Sequence, residues 1–277
     1  MRKILVSLGM IVFVGGIVAG ATGAFFSDTE TSTGNTFAAG AIDLKVDNES
    51  YVTDIQTGRL ILSTSTSWSL TDLTIEKFFD FRDVKPGDIG EDTISLHVNN
   101  NDSWLCADVS LTSNNENTLV DPESDDGDVT NDPNGGELAN QINFIWWADD
   151  GDNVLESNEN VLPGGPLGAI SVGASTTVAI ADSQNNIFGS GPIPGGSDRF
   201  IGKAWCFGVL SQTPVTQDGQ GKTGSNGPLA RGTGFTCNGA PVNNTAQTDS
   251  LTADVAFRAV QSRNNLSFLC NPIQPIQ

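Results

Sequence analysis

From Ala41 onward the chain alternates. Ile42, Leu44 and Val46 fall on one side of an extended segment and Asp43, Lys45 and Asp47 on the other, the period-two pattern of a half-buried strand. Near the other end Leu251, Ala253, Val255, Phe257 and Ala259 share a face against Thr252, Asp254 and Arg258. Between them, similar runs occupy residues 59–63, 93–99, 104–112, 141–148, 176–181 and 199–210. Turn chemistry separates the runs: Lys85-Pro86-Gly87-Asp88, Asn134-Gly135-Gly136, Pro163-Gly164-Gly165-Pro166 and Pro194-Gly195-Gly196. Strands with one apolar face bury it only against another layer. The pattern therefore predicts an all-β chain, a jelly-roll-like β-sandwich of about eight or nine strands. Abundant Gly, with 31 residues, and Thr, Ser and Asn in place of Leu or Glu runs argue against helix.

Two insertions interrupt the alternation. Residues 121–137, DPESDDGDVTNDPNGGE, carry seven acids and no base, and residues 212–241 are rich in Gly, Thr, Asn and Pro. Both read as loops on a rigid scaffold. With no internal repeat and no dividing linker, residues 41–277 are expected to form one elaborated domain.

The N-terminus follows a different logic. Arg2 and Lys3 precede an apolar run from Ile4 to Ala19, and small residues follow to Ala24, the order of a secretory signal. The expected cleavage lies between Ala24 and Phe25. The chain is then expected at the cell surface or in the medium, cleaved by a signal peptidase during export and keeping no permanent membrane anchor. Cys106, Cys206, Cys237 and Cys270 suit that compartment, where an even count implies two disulfides. Four cysteines permit three pairings; Cys206–Cys237, tying a strand to the loop-rich segment after it, is the favoured one. Asn48, Asn101, Asn243 and Asn265 each begin an N-x-S/T sequon.

Charge narrows the partners. The whole chain has 13 basic and 33 acidic residues, or −20; without Arg2 and Lys3 the balance is 11 against 33, or −22. Such a field repels phosphate backbones, so nucleic acid is not an expected partner.

The stretch after the signal is polar and framed by phenylalanines. It contains Ala24-Phe25-Phe26-Ser27-Asp28 and then Thr36-Phe37-Ala38-Ala39-Gly40-Ala41-Ile42-Asp43-Leu44. Together with the turn and strand of residues 83–102, DVKPGDIGEDTISLHVNNND, this resembles the TasA/camelysin family of exported bacterial and archaeal proteins. The resemblance covers about the first third of the chain. It implies an extracellular fibre subunit of biofilm matrix or bundling pili, with copies of the chain itself as head-to-tail partners. In such fibres the freed segment, here residues 25–40, is donated as a strand to the next subunit. Phe25, Phe26, Thr29, Thr31, Thr33 and Phe37 are then the interface residues. β-Branched Thr between aromatics fits a pleated groove, with main-chain hydrogen bonds supplying affinity. A non-polymerising surface adhesin or binding module is the alternative.

Catalysis is not expected. The camelysin branch carries a metallopeptidase label, but the chain has a single histidine, His97, on a strand, and no HExxH. The main cluster with metal-ligand character is Asp149, Asp150, Asp152 and Glu156, following Trp147 across a Gly bend, with the acidic residues 121–132 a weaker candidate. Several carboxylates on a tight loop suit calcium, although the spacing is not that of an EF-hand. Trp104, Trp146, Trp147 and Trp205 read as core rather than as a carbohydrate platform.

Overall fold

The computed structural model describes residues 27–31 and 42–271. Among them are twelve strands: β1 (Ser27–Thr31), β2 (Asp43–Thr53), β3 (Leu60–Thr71), β4 (Ile89–Asn99), β5 (Ser103–Asn115), β6 (Ile142–Asp149), β7 (Val161–Pro166), β8 (Ser175–Ala181), β9 (Ser197–Phe207), β10 (Val209–Gln212), β11 (Phe235–Asn238) and β12 (Ser250–Gln261). A four-stranded sheet has the order β1-β12-β5-β8 and a six-stranded sheet the order β3-β2-β4-β9-β6-β7. Neighbours pair antiparallel throughout.

The two sheets form a β-sandwich because their alternating apolar residues meet. Leu44, Val46, Ile94, Leu96 and Ile201 of the larger sheet share one buried cluster with Leu105, Val109, Ile180, Val255 and Phe257 of the smaller. Trp146 reaches across the gap to Phe257, 6.4 Å between ring centres. The next residue, Trp147, points to the opposite face, as strand geometry requires. There it is fully buried with Ile145, Leu155, Ala204 and Phe235 under the loops that follow β6 and β10. Gly202 makes room for it: a Cβ at that position would collide with the Trp147 indole. The larger sheet is thus covered on both faces. Trp104 and Trp205 are buried as well, as expected.

The strand count exceeds the eight or nine expected, for identifiable reasons. The stretch 163–166, read as a turn, is the end of β7, an edge strand where Pro is tolerated. The single run expected over 199–210 is broken at Gly208, whose φ of 139° separates β9 from β10. The acidic insertion includes a one-turn helix, Asp121–Asp125. The disulfides are Cys206–Cys237, as favoured from sequence, and Cys106–Cys270. Asn48 is buried and donates to the Thr66 carbonyl at 2.6 Å, so its sequon is closed in the folded chain.

Candidate functional site

Two features stand out on this scaffold, an N-terminal edge strand and an acidic loop layer. β1 lies at the margin of the four-stranded sheet and pairs with β12 alone. The register sets Ser27 opposite Val260, Thr29 opposite Arg258 and Thr31 opposite Ala256. β12 is a sound platform for such an addition. Val255, Phe257 and Ala259 are locked into the core, and its other edge is fully paired with β5. Cys270, just beyond β12, returns to β5 through its bond to Cys106. Of the interface residues expected from sequence, Thr29 and Thr31 fall within β1. Phe25, Phe26, Thr33 and Phe37, with the cleavage position at Ala24, lie outside the described residues.

The acidic loop layer sits beyond the end of β6. Asp149 is a structural carboxylate. Its Oδ2 accepts from Thr93 Oγ1 at 2.7 Å and from the amides of Gly151 and Asn153 at 3.2 and 3.3 Å, while Oδ1 accepts from Trp147 Nε1 at 3.3 Å. These bonds fold the chain back over the sheet, with Gly151 and Asn153 at positive φ of 109° and 64°. Asp152 and Glu156, both buried, meet a guanidinium. Arg231 Nη1 lies 2.8 Å from Asp152 Oδ2, 2.5 Å from Glu156 Oε1 and 3.1 Å from Asp218 Oδ2. Its Nη2 donates to the Thr216 carbonyl at 2.6 Å. Asp150 stands on the other side of Glu156. With Glu156 and Glu159 it brings three carboxylate oxygens within 4.8 Å of one another. Glu159 is itself engaged, accepting from the amides of Asp150 and Glu156 at 3.1 and 2.7 Å.

The structure therefore gathers the four acids expected as a cation site into one loop, with oxygens of Asp149, Asp150 and Asp152 within 4.8 Å of one another, and gives each further partners. Asp149 folds the turn, Asp152 and Glu156 hold Arg231, and Asp150 faces Glu156 and Glu159. Asp218 and Arg231 come from the 212–241 insertion, far along the chain, and no local spacing announces them. Glu91 is a further surprise: it is sealed beneath this layer with both carboxylate oxygens lacking a hydrogen bond. Its signal was present in the adjacent acids Glu91-Asp92, since one of two neighbours on a buried strand must face each side.

Burial and crowding raise the pKa values of Asp149, Asp150, Asp152 and Glu159. Burial pushes Asp149 up to about 6; burial and then the charge of Asp149 push Asp152 to about 7 and Glu159 to about 9. Glu91 rises well above the carboxylate range, chiefly through burial and then the charge of Asp149.

The lone histidine is elsewhere. His97 Nε2 lies 2.9 Å from Asp47 Oδ2 and Nδ1 lies 2.6 Å from Asp198 Oδ1, so both ring nitrogens face carboxylates. Among the described residues, every grouping of three or more metal-ligating side chains is made of Asp and Glu alone.

Comparison with known families places a match at the N-terminus. The family model described as camelysin metallo-endopeptidase matches residues 2–64, in agreement with the resemblance read from the N-terminal motifs. That span takes in β1, β2 and the start of β3 and stops well short of the acidic loop layer. No curated protein matches the chain.

Proposed function

We propose that this chain is an exported structural subunit that assembles head-to-tail into extracellular fibres, each copy donating its N-terminal strand to the next. One observation carries the reading: Ser27–Thr31 is an edge strand attached to β12 by main-chain pairing. Such pairing is indifferent to whether the strand arrives from the same chain or from another. Fully extended, the connection from Thr31 to Asp43 spans at most about 40 Å, enough to reach the β12 of a neighbour. A contact of this kind is heterologous and propagates unless it closes into a ring. The family match over residues 2–64 covers this same strand and supports the reading.

A second reading has its own support. β1 pairs with its own β12 in the single chain, as it would in a self-capped surface module that does not polymerise. The activity in the matched family's description does not enter the proposal. A zinc hydrolase site takes two or three nitrogen or carboxylate ligands around an open position, and the chain's only imidazole is held between Asp47 and Asp198.

Negative-stain electron microscopy of protein beginning at Phe25, concentrated with calcium, tests this. Regular filaments that disappear when residues 25–37 are deleted are the expected result. Dispersed particles at every concentration would move the reading to the self-capped module, and chelator-sensitive proteolysis would overturn both.

A further inference from the structure

At the end of the sandwich below β5 and β12, five acids from four places in the sequence converge. Glu116 follows β5, Glu123 belongs to the helix Asp121–Asp125, Asp128 and Glu137 lie in the acidic insertion, and Asp249 immediately precedes β12. Glu116, Glu123 and Asp128 are buried, with 7%, 0% and 6% of their surface exposed.

Some of their oxygens have protein partners. Glu123 Oε2 accepts from the Val120 amide at 2.6 Å, and Asp128 Oδ1 from the Thr130 amide at 2.7 Å. Asp249 Oδ2 accepts from the amides of Glu137 and Leu138 at 2.6 and 3.0 Å. These bonds fix the carboxylates in place and turn their other oxygens inward. Glu116 Oε1 and Oε2, Glu123 Oε1, Asp128 Oδ2, Glu137 Oε2 and Asp249 Oδ1 are all buried and meet no N–H or hydroxyl donor, and Glu116 and Asp249 can bond to each other only by sharing a proton. Oxygens of Glu116, Asp128 and Glu137 lie within 4.8 Å of one another, as do oxygens of Glu116, Glu123 and Asp249. Glu116 belongs to both sets and joins them.

Among the described residues no cationic side chain balances this charge, and the one internal relief is a proton shared between Glu116 and Asp249. The loop layer beyond β6, by contrast, has Arg231 at its centre. Burying several carboxylates without a counter-charge is very costly, so such groups are paired, protonated or bound to metal.

We propose that Glu116, Glu123, Asp128, Glu137 and Asp249 form a calcium site. Six inward oxygens and no nitrogen or sulfur match a hard cation that takes 6–8 oxygen ligands. Oxygens held about 2.4 Å from one ion are at most about 4.8 Å apart, a limit that each set of three meets. Magnesium, which keeps several waters and a strict octahedron, fits an all-carboxylate cage less well. A bound ion ties the acidic insertion to the end of β5 and the start of β12, the strand on which β1 is added.

The test is calorimetric titration and thermal melting of the intact protein, with calcium chloride and magnesium chloride as probes against a chelator baseline. At 100-fold excess over Kd, calcium raises Tm by roughly 5–10 °C, with magnesium weaker. Glu116→Gln and Asp128→Asn, two variants in case one fails to fold, each weaken calcium binding by about tenfold or more. Asp54→Asn, in the exposed turn between β2 and β3 and outside every acidic grouping, leaves it unchanged. The site is overturned if calcium at about 10 mM, above the range of weak extracellular sites, gives neither heat nor a Tm shift. It is equally overturned if the response survives both site variants or is lost in Asp54→Asn.

Discussion

Lys203 Nζ lies 2.8 Å from Asp92 Oδ1, with both side chains sealed between the two sheets. The ammonium also stands 5.8 and 5.6 Å from the ring centres of Phe78 and Phe79. A charge pair so deeply placed is costly to split, because removing one partner strands the other away from water. Lys203→Met should destabilise the protein by about 3–5 kcal/mol. The double replacement Lys203→Met with Asp92→Leu should recover most of that loss. Urea unfolding measures both, and a single variant within experimental error of wild type would refute the argument.

The contact between Gly202 and Trp147 leads to a second expectation. The indole lies where any Cβ on residue 202 would stand, so Gly202→Ala must displace it or shift β9 against β6. Overpacking of this kind costs about 1–3 kcal/mol. Denaturation followed by tryptophan fluorescence should show a lowered midpoint and an altered native spectrum. An unchanged spectrum with unchanged stability would mean that the loop layer yields freely.

Stability should fall with rising pH when divalent cations are absent. Asp149 at about 6, Asp152, Glu116 and Glu137 at about 7 and Glu159 at about 9 all stand above ordinary values of 3.8 or 4.5. In the native state they hold protons that the unfolded chain has released. Their contribution is complete below the unfolded values near 4 and is lost progressively up to about pH 9. Calorimetric melts in chelator across this range should show a declining Tm, with calcium flattening the decline. A Tm that climbs from pH 5 to pH 8 in chelator would contradict the assignment.

Strand exchange can be read covalently. Thr29 and Arg258 are register partners across β1 and β12, and among the described residues no cysteine is free to interfere. The pair Thr29→Cys and Arg258→Cys should oxidise readily, since directly opposed antiparallel residues have Cα atoms about 4.5–5.5 Å apart. If strands are donated between copies, non-reducing electrophoresis gives a ladder. A single cross-linked monomer gives the self-capped module instead.

The sequence made some of this architecture plain and hid the rest, for physical reasons. Ile42-Asp43-Leu44 and the alternation of residues 251–261 announced strands because each has one buried face, and both are observed. β7 was concealed by Pro163 and Pro166, which punctuate turns but are also tolerated on a sheet edge. β11, four residues within the Gly-rich insertion, is too short for its period to register. The acids from Asp149 to Glu156 were legible as a cluster because they are neighbours in sequence. Arg231, which changes their character, and the convergence of Glu116 with Asp249 depend on contacts between distant segments that no local spacing encodes.

The two disulfides are nested, since Cys206–Cys237 lies inside the loop closed by Cys106–Cys270. Residues 121–137 and 212–241, the longest insertions and the natural targets of an external protease, both fall within that loop. One cut in either insertion leaves two fragments still joined through sulfur, with β12 anchored on β5. If the chain works outside the cell as proposed, a severed backbone and a lost subunit become separate events there.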